Sequence, residues 1–139
     1  MIKARSALGL FTLLVLVALT ACSPSKPSIV GKWSGWMVVD CPDGKPPVPN
    51  YRPLTISLDL GADGRCTNVH GSGIGADITV HSGYELRDSL FLYTTDFGAD
   101  TLHLVVLSES ELVLRRAPYE NGCVHTYRME RAAPGGTAP

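Results

Sequence analysis

Four cysteines (Cys22, Cys41, Cys66 and Cys123) and four histidines (His70, His81, His103 and His125) are the side chains of this chain best equipped to ligate a metal or to act as nucleophile and base. Their spacing argues against both roles. No Cys-x-x-Cys pair brings two thiolates to one turn, and the histidines are spread along the chain, so no metal or other cofactor is expected. There is no Gly-x-Ser-x-Gly, no His-Glu-x-x-His and no phosphate loop. Gly71-Ser72-Gly73-Ile74-Gly75 is rich in glycine but lacks the strand-to-helix context that cradles a phosphate, and it reads as a hairpin loop. An isolated histidine on a half-exposed strand is ordinarily a surface or satisfied core residue. The chain is therefore expected to bind rather than to catalyse.

Cys22 has a different setting. Lys3 and Arg5 form a basic start, Leu8 to Leu19 an apolar stretch, and Thr20-Ala21 a small-residue pair directly before it. That is the layout of a cleaved export signal, too short to span a bilayer, where about 20 apolar residues are needed. Leu19-Thr20-Ala21-Cys22 resembles the lipobox of bacterial lipoproteins. The resemblance implies removal of residues 1–21, a diacylglycerol thioether and fatty acylation such as palmitate on Cys22, and membrane attachment through those chains. Ser23, in place of Asp, resembles the pattern of lipoproteins sent to the outer membrane of a two-membrane envelope. Residues 22–28 then form the acylated cysteine and a Pro/Ser linker, residues 29–131 a single domain, and residues 132–139 a disordered Gly/Pro tail.

Losing Lys3 and Arg5 and no acid turns 12 basic residues into 10 against 13 acidic, a net charge of −3. With no basic stripe, nucleic acid is not an expected partner.

The elements that hold these residues read as all-β. Turn signals recur at intervals of about 10–15 residues with no amphipathic helix between them. Strands are expected over Val30–Val39, Leu54–Leu60, Arg65–His70, Ala76–Leu86, Leu90–Thr95, Thr101–Leu107, Glu111–Arg116 and Val124–Arg131. Tight turns at Gly61–Gly64, Arg87–Ser89 and Ser108–Ser110 alternate with longer connections at Asp40–Pro53, Gly71–Gly75, Asp96–Asp100 and Ala117–Cys123. In an up-and-down meander that alternation places every long loop at one end. Closure into an eight-stranded antiparallel barrel would remove the exposed edges. Leu102–Leu107 and Leu90–Tyr93 are apolar on both faces, so part of the outer wall is expected to be covered by a flanking segment or a partner.

Gly31-Lys32-Trp33 on the first strand resembles the Gly-x-Trp that opens the lipocalin-like barrels. That resemblance implies a Trp33 plug at the closed end, with a basic side chain of the last strand across its ring; Arg131 is the candidate. Thr95-Asp96-Phe97 is similar to a second lipocalin motif but falls at the wrong end, so it is taken as chance.

Barrel closure would make Cys41 and Cys123 neighbours at the open end, and a disulfide is expected there, leaving Cys66 free. The longest open-end loop carries five prolines and ends in Tyr51-Arg52. Two functions follow. One is a membrane-anchored carrier that takes a small apolar or amphiphilic ligand at the open end through Met37, Tyr51, Phe97 and Tyr119. The other is a filled barrel that acts as a protein-interaction or inhibitor module in the cell envelope, as small periplasmic lysozyme-inhibitor barrels do.

Overall fold

The computed structural model describes residues 26–47, 49, 51–71, 76–96 and 98–133. The expected export signal, Cys22, Ser23, residues 72–75 of the glycine-rich loop, Phe97 and residues 134–139 lie outside the described residues.

Eight antiparallel strands form a closed barrel in chain order: β1 (Gly31–Asp40), β2 (Leu54–Leu60), β3 (Arg65–His70), β4 (Ile78–Arg87), β5 (Leu90–Thr95), β6 (Gly98–Leu107), β7 (Glu111–Arg116) and β8 (Val124–Arg131). Each strand pairs with its neighbours in sequence, and β8 closes onto β1 from Trp33↔Arg131 to Asp40↔Val124. The expected architecture is the observed one.

Period-two alternation explains which residues fill the barrel. Trp33 and Met37 of β1, Ile56, Leu58 and Leu60 of β2, Leu112 and Leu114 of β7, and Tyr127 and Met129 of β8 all point inward and are buried. Between Leu104 and Val106 the register of β6 shifts by a bulge, so Leu102, Leu104 and Leu107 pack with the core while Val105 is pushed into solvent. The apolar run Leu102–Leu107 is thus partly an alternating strand whose phase slips once. Val106 pairs with the outward Val113, which is only 2% exposed although it stands outside the interior cluster.

The closed end is fastened as the Gly-x-Trp resemblance implied. The Arg131 guanidinium lies 4.1 Å from the Trp33 ring centroid. It also donates to three carbonyls, Val30 (2.8 Å), Ser28 (2.6 Å) and Glu109 (2.7 Å). Trp33 Nε1 donates to the Ile29 carbonyl at 2.8 Å. Gly31 is required here. Its φ of 137° suits glycine, and a Cβ would stand 2.5 Å from Arg131 Nη1. Beyond β8 the chain remains hydrogen-bonded through Ala132, whose N–H donates to the Lys32 carbonyl.

One connection departs from expectation. Asp96–Asp100 is not a long loop: β6 begins at Gly98, which pairs with Thr95 across a two-residue turn. Asp100 holds this early start, because its carboxylate accepts the Thr101 N–H at 2.8 Å and the Tyr93 hydroxyl at 3.2 Å. The open end therefore carries three long connections and one tight turn.

Candidate functional site at the open end

Along the inside of the barrel the lining changes from apolar to polar. From the closed end, β7 points Leu112, Leu114 and then Arg116 inward. β8 runs from Met129 through Tyr127 to His125, and β3 from Cys66 through Asn68 to His70. At the mouth Arg116 and His125 meet across the Tyr119 ring, while His70 sits beside Asn68 on the other wall. Arg116 forms an ion pair with Asp100 and donates to the Tyr119 hydroxyl. Its guanidinium stands 5.3 Å from the Tyr119 ring centre, and the other neighbour of that ring, His125, is 4.7 Å away.

These contacts set the protonation states. Burial works against the Arg116 charge, but the Tyr119 hydrogen bond and the surrounding phenol groups outweigh it and raise its pKa. Burial, and then the Arg116 charge, lowers the pKa of His125. Burial likewise lowers that of His70. The Asn68 amide nitrogen lies 2.8 Å from His70 Nε2, an acceptor position that fits a neutral ring protonated at Nδ1. The hydroxyl of Tyr127 is pushed up to about 12, chiefly by burial, and stays protonated.

Beneath the mouth the interior is nearly full. A residual cavity of about 30 Å³ lies between Asn68, His70, Tyr93 and Tyr127 on its polar side and Phe91, Leu102 and Leu114 on its apolar side. That is room for about one water molecule, against roughly 300–1,000 Å³ for a small-molecule site. The Asn68 Oδ1 acceptor is buried and has no protein partner, which suits a water there.

The three expected ligand contacts among the described residues, Met37, Tyr51 and Tyr119, do not line one cavity. Met37 is buried in the core. The Tyr51 hydroxyl is engaged by β1, accepting the Val39 N–H at 2.8 Å and donating to the Met37 carbonyl at 3.3 Å, beyond the point where β2 stops pairing. Phe97 lies outside the described residues. Tyr119 is 41% exposed on the rim.

One side of the rim is fixed in place. Cys41, just past β1, and Cys123, just before β8, form the expected disulfide across a separation of 82 residues. It joins the proline-rich connection to the loop that carries Tyr119. Gly122 has a φ of 77°, and a Cβ there would press on Pro42 at 2.9 Å, so the two loops meet closely only because this residue is glycine. The loop closes on itself through the Tyr119 N–H to the Cys123 carbonyl and the Gly122 N–H to the Tyr119 carbonyl.

The remaining chemistry is dispersed. Cys66 is free and buried, and burial pushes its thiol pKa up. His81 and His103 are exposed on the outer wall, His81 with Nδ1 3.2 Å from the Thr67 hydroxyl. Among the described residues, no group of three or more His, Cys, Asp or Glu side chains is placed to hold a metal ion. The Arg116–Asp100 pair is not evident from the sequence. Alternation from Leu112 and Leu114 points Arg116 inward, but Asp100 joins it only once β6 is extended to Gly98. No family model matches the chain, and no curated protein matches it.

Proposed function

We propose that this chain is a non-enzymatic protein-interaction module of the cell envelope, anchored by acylated Cys22 and recognising its partner with the rim of the barrel's open end. The filled interior carries this reading: a cavity of about 30 Å³ leaves no space for the small apolar ligand of a carrier, so recognition falls to the surface. The rim has the properties of a recognition surface. Tyr and Arg are the residue types that most often dominate protein interfaces, and here Tyr119 and Arg116 are held by a disulfide-bonded loop pair, which reduces the ordering cost of association. Because the chain enters the barrel at the closed end, an anchor at Cys22 directs the rim away from the membrane. Ser23 after the anchor favours the outer membrane.

Native mass spectrometry of the full chain, taken in detergent from its own envelope, tests the proposal. A stoichiometric protein adduct that disappears in Tyr119→Ala supports it. A small molecule that leaves on mild organic extraction overturns it in favour of a carrier. The same spectrum reads the anchor, since processing removes residues 1–21 and adds acyl mass to Cys22.

A further inference from the structure

Away from the rim, the outer face formed by β8, β1 and β2 has a distinct composition. Strand register sets two rows side by side across it: Arg128, Trp36 and Thr55 in one, Glu130, Ser34 and Ser57 in the other. All six line a groove of about 1110 Å³. Trp36 is 53% exposed at its centre, whereas Trp33, three residues earlier, is fully buried. The next row toward the closed end, Lys32 and Asp59, is an ion pair. None of the six groove side chains has a hydrogen-bond or ion-pair partner among the described residues. An exposed indole is therefore surrounded by uncommitted hydroxyls, a guanidinium and a carboxylate.

We infer that this face is an oligosaccharide-binding platform, separate from the rim, with Trp36 as its stacking surface. A pyranose ring has one face of polarised C–H bonds, which suits the negative face of an indole, and an edge of hydroxyls that both donate and accept. The groove supplies both halves of that match. Trp36 takes the ring face, the hydroxyls of Ser34, Thr55 and Ser57 donate or accept, Arg128 donates and Glu130 accepts. A lipid tail would need a continuous apolar lining, and the core of a protein interface needs several large apolar side chains. Trp36 is the large exposed apolar side chain of this groove; the rest of its apolar lining is Val69 and the buried Ile56 and Met129, interrupted by Ser34, Thr55 and Ser57. The groove is lined by Arg128 and Arg131 against Asp77, Glu111 and Glu130, a mixed and slightly acidic set that suits a neutral, hydroxyl-rich ligand better than a polyanion.

The test is a titration of the full chain in detergent with three defined probes, tri-N-acetylchitotriose, cellotriose and maltotriose, followed by tryptophan fluorescence and calorimetry. Saturable binding of at least one sugar is expected, weakened about tenfold or more by Trp36→Ala and less by Trp36→Tyr, which keeps a ring. Arg128→Ala serves as the second variant and is expected to weaken binding about threefold. Circular dichroism establishes that each variant folds; Trp36 and Arg128 are both exposed, so neither change opens the core. Tyr119→Ala should leave sugar binding unchanged, which keeps this inference independent of the rim reading. Absence of binding for all three sugars at about 10 mM, a concentration above the dissociation constant of even a weak specific site, overturns the proposal. So does sugar binding that Trp36→Ala leaves intact, or a Trp36-dependent protein adduct in place of sugar binding.

Discussion

Replacing Arg131 by Ala removes the fastening of the closed end, and the structure gives its size. The guanidinium makes one contact with the Trp33 ring, worth about 0.5–2 kcal/mol. It also makes three hydrogen bonds to carbonyls, each worth about 0.5–1.5 kcal/mol net. The side chain is partly exposed and the four interactions share one group, so they do not add in full; the expected cost is about 2–3 kcal/mol. At roughly 4–8 °C per kcal/mol for a domain of this size, the midpoint of thermal unfolding should fall by about 10–20 °C. Circular dichroism measures the unfolding, and tryptophan fluorescence in a Trp36→Phe background, where Trp33 is the remaining indole, reports the closed end separately. Arg131→Lys keeps a cation near the ring but loses the planar fork that reaches three carbonyls, so about half the cost should remain. Arg128→Ala, on the outer face of the same strand, should cost less than about 0.5 kcal/mol. A cost below about 1 kcal/mol for Arg131→Ala, or an equal cost for Arg128→Ala, would refute the reasoning.

Three further outcomes are expected. Cys41→Ser with Cys123→Ser should lower stability by up to about 4–5 kcal/mol, the chain-entropy value for a loop of this length, and hydrogen exchange should rise first in the rim loops while the closed end stays protected. Cys66 should resist alkylation in the native protein and react fully in denaturant without reductant, because its thiol is buried and its pKa is raised. His70 and His125 have folded pKa values below the ordinary 6.5, so above that pH both states hold them neutral. Below it the unfolded chain takes up protons that the folded barrel refuses. Urea midpoints should fall from pH 6.5 to 5.5, and His70→Gln with His125→Gln should flatten that slope; an unchanged slope would count against the burial of these rings.

What the sequence disclosed depended on how local each feature is. Strand identity was legible because alternation and turn residues act over a few positions, as in Leu54–Leu60 and Glu111–Arg116. The Trp33–Arg131 contact and the Cys41–Cys123 bridge were legible because barrel closure places the first strand beside the last. From sequence alone Gly98 reads as loop because Gly and Asp are poor strand formers, and the Asp100 side chain, with partners on β5 and β7, overrides that propensity. The bulge at Val105 hid the alternation of β6 for a similar reason: a slip of phase is visible only against a partner strand. The filled interior depended on how eight sets of side chains interlock, which no single strand reveals.

The direction of β1 also has a mechanical consequence. The chain enters β1 at the closed end, and the rim lies at the opposite end, so a pull applied between Ser28 and the rim runs along the strand. Seven residues of β1 are registered with β2 and eight with β8. Such a load shears both ladders at once instead of peeling hydrogen bonds one by one. Arg131, which grips the Ser28 and Val30 carbonyls where the chain enters, spreads the first increment of force into β8 and the β6–β7 turn. A barrel loaded between its foot and its mouth would therefore yield in one step rather than strand by strand.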